Sequence, residues 1–291
     1  MSFTAMEDIR AYCEEERVSF WEAILIADAD ARGVSKEKSI RTMNKMWLAM
    51  KENLDNYDRT QYSRSHLVGP EGGLMADYQE KGESLCGDFM AKVMTGALKM
   101  GCNNACMKRI VAAPTAGACG VLPAVLVTYY EEKQVSDDAM VEALYVAAGV
   151  GDVIGNRAFL AGAMGGCQAE IGSAAAMAAA AITYLKGGDI KQMMNATAMA
   201  LKNMMGLVCD PVGGLVEVPC VKRNVAGAVN ALSAADMALA GIESQIPVDQ
   251  VIDAMKEVGD RMDVAFKETG TGGVAGSERA KEVMKNLQNR Q

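Results

Sequence analysis

Apolar residues along the first sixty positions recur at helical intervals. Thr4-Ala5-Met6-Glu7 has the form of a capping box, which predicts a helix starting near Ala5. Ile9, Cys13, Phe20, Ile24 and Ala27 then share one face, and Gly33 is placed to end that helix. Ser35 can cap a second helix. On it Ile40, Met43, Trp47, Met50 and Leu54 alternate spacings of three and four, the seam of two packed helices. This pattern makes residues 1–65 an amphipathic helical hairpin packed on a main domain, residues 66–291.

Residues 63–73, rich in Ser and Gly, read as a loop. Leu85, Phe89, Val93 and Met100 mark the next helix. Ser136, followed by Asp137 and Asp138, starts another, with acids near its positive end. Gly187-Gly188 separates two more. Pro247 and Asp249 open a late helix carrying Val251, Met255, Val258 and Met262. The last dozen residues read as a solvated helical end. No internal repeat and no linker interrupt residues 66–275.

Composition strengthens the helical reading. Of 291 residues 45 are Ala and 22 Met, good helix formers, whereas aromatic residues make up only 5%. The fold class expected is all-α. Charge divides the chain: residues 1–65 hold 22 charged side chains and the longer stretch 110–235 only 17, so the second is the buried centre. The net charge of −8 argues against a phosphate backbone as ligand, and no nucleic-acid partner is expected. Ile110–Tyr130 lacks charge over a length that would span a bilayer, but Pro114, Gly117, Gly120 and Pro123 break it, so no membrane association is expected. The first residues show neither a basic start nor an apolar signal core. With eight cysteines, that points to a reducing cytoplasm.

Three stretches combine Gly, Pro and Cys: Ala112–Gly120, Gly165–Glu170 and Cys209–Asn224. Glycines allow close backbone approach to a ligand, and loops on a rigid scaffold commonly hold the site. Cys167, Cys209 and Cys220 lie beside Gly, Asp-Pro or Pro, where thiolates can converge as iron–sulfur ligands do. Their separations, 42 and 11 residues, match no generic metal motif, so buried structural thiols stand as the competing reading. Cys13, Cys86, Cys102 and Cys106 lie in helical pattern, and Cys119 is ambiguous.

Taken together, Ala112–Gly120, Gly165–Gly172, Cys209–Asn224 and Lys267–Gly273 resemble the signature segments of the alpha chain of iron–sulfur-dependent L-serine dehydratases. The resemblance covers roughly residues 64–275 and is strong over 110–225. It implies a mostly helical catalytic domain that converts L-serine to pyruvate and ammonia. It also implies a [4Fe–4S] cluster on Cys167, Cys209 and Cys220 with one iron open to substrate, and a beta chain supplied separately or fused. A higher oligomer is compatible with it. This chain departs from the pattern at Gly69–Leu74, which reads Gly-Pro-Glu-Gly-Gly-Leu, and it has no cysteine near its C-terminus.

Such chemistry needs a proton acceptor and a grip on the substrate carboxylate. His66 is the sole imidazole; Glu170, an acid in an apolar stretch, and Lys222 are the other catalytic candidates. The Thr115-Ala116-Gly117 turn, Arg223 and Asn224 are the substrate-binding candidates. A surface position for Lys222 and Arg223, a turn-capping role for Thr115 and a solvated His66 are the plainer readings of the same residues. Two other lyase readings stay open. A pyridoxal-phosphate enzyme would use the Thr115–Gly120 loop as phosphate cradle and Lys222 as Schiff-base lysine. An iron–sulfur cysteine desulfidase would expel sulfide. A helical regulatory subunit is the non-enzymatic reading.

Overall fold

In the computed structural model, which describes residues 2–289, several helices start where a side chain takes up free N–H groups. Thr4 and Ala5 donate to Asp8 rather than Glu7, so α1 spans Met6–Glu16 and begins one residue later than expected. Asp249 accepts from the next two amides, Met6 and Glu7. The first expected helix is broken in two. Arg17 takes the left-handed conformation, and Ser19 with Glu22 forms a second capping box that opens α2, Phe20–Arg32. Cys13 and Phe20, seven positions apart, fit one helical face with or without the break, so periodicity alone did not register it. Ser35 caps α3, Lys36–Asp55, by accepting from the Lys38 amide. The N-terminal segment thus contains three helices. Trp47 and Met50 of the expected seam are buried, while Ile40 at its start is exposed.

The chain continues through α4 (Glu71–Glu80), α5 (Gly87–Ala105), α6 (Val121–Lys133) and α7 (Asp137–Arg157). Gly72 and Gly73, expected in a loop, lie inside α4. A Cβ on Gly72 would stand 3.0 Å from the Lys99 backbone nitrogen, so this glycine lets α4 lie directly on α5. Leu85 precedes α5 and is fully exposed. Ser136 caps α7 through the Ala139 amide, as expected. A short α8 (Gly162–Gly165) leads through Cys167 into a π-helical turn, Gln168–Gly172, and then into α9, Ser173–Leu185. Gly187, at a φ of +80°, follows α9, and Asp189 caps α10, Ile190–Met204. The chain closes with α11 (Cys220–Leu239), α12 (Val248–Arg261) and α13 (Glu278–Gln288).

Among the described residues there is no strand, only one isolated parallel bridge between Cys209 and Lys267. The centre is α9. Every residue from Ser173 to Thr183 is buried, and seven of the eight positions Ala174–Ala181 are Ala, the other being Met177. Small side chains let α6, α7, α10 and α11 pack around it. Phe20, Trp47 and Tyr145 belong to the same core, so the N-terminal helices share it with the main body. Among the described residues no helix is long and apolar enough to cross a membrane; the uncharged 110–130 stretch is half loop and half α6.

Candidate active site

All three Gly/Pro/Cys stretches end at one place, beside the N-terminal ends of α9 and α11. Cys167 enters the π-helical turn, and Gln168 beside it is fully buried and fully bonded. Its amide donates to the Gly165 and Met255 carbonyls at 2.9 and 3.0 Å and accepts from the Gly206 N–H at 2.8 Å. Cys209 is held by its backbone: its N–H donates to the Phe266 carbonyl and its carbonyl accepts from Glu268, both at 2.8 Å. This is how the C-terminal Lys267–Gly273 segment reaches the site. Cys220 is the first residue of α11, and its carbonyl accepts from Asn224 at 3.0 Å.

The three thiols are buried, and Cys167 raises the proton affinity of the other two. Burial is the main cause for all of them: Cys167 is pushed up to about 11, Cys220 to about 12, and Cys209 higher still. For Cys209 and Cys220 the Cys167 sulfur is the next cause. Glu170 stands in the same space, its Oε2 4.0 Å from Cys209 Sγ. Burial raises its carboxyl too, and the Thr115 hydroxyl, buried and otherwise unpaired, opposes that rise. Gly117 and Gly162 line this carboxylate: a Cβ on either would lie 3.3 and 2.8 Å from it.

The structure separates the sequence candidates. Thr115, Gly117 and Glu170 come together at the thiols, with Ala116 exposed at the tip of the turn. Asn224 is buried, and its amide is spent on backbone. It accepts from the Gly120 N–H at 2.8 Å and donates to the Gly117 carbonyl at 2.9 Å, so it shapes the Thr115–Gly120 turn. The Arg223 guanidinium is committed to Asp210 at 2.8 Å and the Val208 carbonyl at 2.7 Å. Lys222 is exposed and pairs with Glu71 at 3.1 Å. His66 is exposed, has a φ of +61° and stacks on Tyr62; its loop is tied to the third stretch where Ser63 and Ser65 donate to buried Glu217. Gly162, Gln168 and Asp210 were not singled out from sequence. Asp210 carried the same signal as Glu170, an acid in a charge-poor stretch.

Among the described residues no three His, Cys, Asp or Glu side chains converge as ligands of one metal ion. A cubane cluster asks for something else: each thiolate takes a different iron, so the sulfurs stand further apart than the ligands of a single ion. The chemistry of the donor set suits such a group. Three buried thiols with raised proton affinity are ionised once a cation binds them.

An all-helical scaffold thus presents a buried pocket of three thiols and one carboxylate where loops meet. The sequence profile described as "Serine dehydratase alpha chain" matches residues 14–275, and the chain belongs to that family. The match takes in most of the N-terminal helical segment as well as the loops of the site. The chain is 40% identical over 285 residues to the probable L-serine dehydratase, alpha chain, of Bacillus subtilis (strain 168), covering 98% of this chain and 95% of that one. It is 38% identical over 279 residues to the L-serine dehydratase, alpha chain, of Peptoniphilus asaccharolyticus, covering 94% of each. With the L-serine dehydratase TdcG of Escherichia coli (strain K12) it shares 41% identity over 181 residues, 62% of this chain and 40% of that protein.

Proposed function

We propose that this chain is the alpha subunit of an iron–sulfur L-serine dehydratase, a lyase that converts L-serine to pyruvate and ammonia together with a beta chain. The observation that carries this reading is the gathering of Cys167, Cys209 and Cys220 around the buried carboxyl of Glu170. The family supports the substrate, and the names of the relatives of matching length support a beta chain.

Cys167, Cys209 and Cys220 would hold a [4Fe–4S] cluster. Three thiolates leave one iron open, and an open iron supplies Lewis-acid polarisation of the substrate hydroxyl. The chain's own residues do the rest. Backbone N–H groups of the Thr115–Gly117 turn, shaped by Asn224, orient the substrate carboxylate. Glu170, its carboxyl kept protonated more readily by burial, gives its Oε2 proton to the departing hydroxyl oxygen, so the C–O bond breaks with water as leaving group. The Cα proton goes to a base on the beta chain, since His66 and Lys222 face away from the thiols into solvent or a surface ion pair. The enamine so formed tautomerises and is hydrolysed to pyruvate and ammonia.

Anaerobic reconstitution with iron and sulfide tests this reading. Single Ser substitutions at Cys167, Cys209 and Cys220 should each lose most bound iron and activity, whereas Cys13→Ser, in the core under α1, should keep both. Activity should decay in air and return with iron and thiol. Full iron retention in Cys209→Ser would remove the ligand assignment. Activation by pyridoxal phosphate in an iron-free protein would replace the cofactor.

A further inference from the structure

Cys167 opens the π-helical turn and Cys220 opens α11, so helical backbone fixes both, whereas Cys209 lies on no helix. The stretch after Cys209 is loose by composition. Gly213 and Gly214 follow one another at φ of +64° and +70°, and glycine loses the most backbone freedom on ordering. What holds this stretch is the C-terminal segment. The Cys209 N–H and carbonyl are both bonded to it, at Phe266 and Glu268, each at 2.8 Å. Asp210 Oδ2 accepts the Val274 N–H at 2.7 Å, and a Cβ on Gly273 would stand 2.8 Å from the Asp210 Cβ. Past Gly276 the same segment becomes α13, which Ser277 caps through the Ala280 amide. On α13, Ala280, Val283, Met284 and Leu287 share one apolar face at helical spacing. Its main neighbours are the turns Val212–Gly214 and Gly273–Gly276 rather than the helices of the core. Met284 makes the contact with the first turn. A Cβ on Gly213 would stand 2.7 Å from Met284 Cε and closer still to its sulfur, so the thioether fills the space a side chain there would take.

We propose that Met284 is a positioning residue for Cys209: α13 and the segment before it form a clasp over Cys209–Gly214, and the Met284 thioether on Gly213 fastens it. The inference rests on the cluster reading of the site. A thiolate on a loose loop holds iron weakly, because the free energy of ordering the loop opposes binding; a loop fixed beforehand is spared that loss. The hold extends toward the next ligand, since the Val212 N–H donates to the Val218 carbonyl at 2.9 Å, two residues before Cys220. α13 suits a fastening that can open. It packs mainly on the loop it covers, so its release frees Cys209–Gly214 without unfolding the helices around α9. The open clasp is then the state from which iron leaves.

The experiment compares the full chain with its Met284→Ala and Met284→Leu variants. In the iron-free protein it reads the melting temperature and the hydrogen exchange of the Cys209 and Val274 amides. After anaerobic reconstitution with iron and sulfide it reads the rate of iron loss to EDTA. In Met284→Ala both amides should exchange about tenfold faster and iron should leave about tenfold faster, because each follows the local opening of the clasp. The melting temperature should stay within about 3 °C of wild type, since the core is untouched. Met284→Leu keeps the apolar bulk and should bring both rates back to within about threefold of wild type. Unchanged exchange in Met284→Ala overturns the inference, and so does faster exchange with unchanged iron loss. A fall in melting temperature beyond about 3 °C also overturns it, since α13 would then belong to the common core. Wild-type protein that takes up no iron overturns the cluster reading instead, and the clasp then stands or falls on the exchange rates alone.

Discussion

At Gly162 a side chain has no room: a Cβ there would lie 2.7 Å from Cys209 Sγ and 2.8 Å from Glu170 Oε2. The glycine therefore sets how closely the backbone of α8 approaches the thiol and the carboxyl. Gly162→Ala should push both groups aside, at a cost of about 1–3 kcal/mol in stability, the usual range for overpacking. It should also cut iron retention after reconstitution below half of wild type. Iron content and melting temperature measured on one preparation check this; an alanine variant with full iron content would show that the approach is not needed. Glycines such as this one explain why the site was only partly legible in sequence. Cys167, Cys209, Cys220 and Glu170 stood out because Gly, Pro or an isolated acid marked them. Gly162 is one of 29 glycines, and its neighbours come from positions 8 and 47 residues away, so nothing local distinguished it. Arg223 and Asn224 were legible as polar groups of the third stretch, but their contacts with Asp210 and with backbone were not, because composition cannot tell which way a polar group faces.

Several helix boundaries were legible where a capping side chain or a glycine pair stood beside an apolar run. Ser35, Ser136 and the Gly187-Gly188 pair are where the sequence puts them. The α1–α2 break is not legible from periodicity, because the second capping box, Ser19 with Glu22, falls within one continuous apolar face. Asp137 shows how a cap also joins elements. As the first residue of α7 it lies at the positive end of the helix dipole, and it accepts from Trp47 Nε1 at 2.5 Å and Lys51 Nζ at 2.7 Å, both on α3. Lys51 in turn lies 4.6 Å from the Tyr130 ring centre on α6. The Lys51 and Trp47 bonds hold the Asp137 carboxyl below its usual value of 3.8. The pair is half exposed, so screening limits Asp137→Asn to about 0.5–1 kcal/mol of lost stability. Asp137→Ala should cost about 1–3 kcal/mol, because the indole N–H then loses its acceptor as well. A lowered folded pKa contributes stability above the unfolded value that is lost as pH falls through the folded one. The difference between wild type and Asp137→Asn should therefore be full above pH 3.8 and fade as pH falls from there through the lower folded value, as denaturant unfolding across that range will show. A difference that grows toward acid pH would assign the effect to another group.

The whole chain assembles the thiol pocket yet leaves it short of a strong base. Its sole imidazole, His66, is exposed and stacked on Tyr62, in a loop that Ser63, Ser65 and Glu217 tie down with the ring outward. Lys222 is engaged by Glu71 at the surface. The remaining candidate, Glu170, is assigned the leaving group's proton, and a carboxyl that burial keeps protonated for that role is a poor acceptor for the Cα proton. Proton transfer by a positioned group contributes roughly 10²–10⁴-fold, up to about 5 kcal/mol at 1.4 kcal/mol per tenfold, and a chain lacking it turns over slowly by that factor. The isolated protein, reconstituted anaerobically, should thus be brown and poorly active, and mixing it with its beta chain should raise the rate at least a hundredfold. In the mixture His66→Ala should stay within a few-fold of wild type, while Glu170→Gln should lower kcat far more than it changes KM, the mark of a group that acts on the reacting atoms. Anaerobic assay of pyruvate formation, with and without the partner, separates these cases. Full activity from the single chain, abolished by His66→Ala, would move the base onto His66 and require its loop to turn inward when substrate binds.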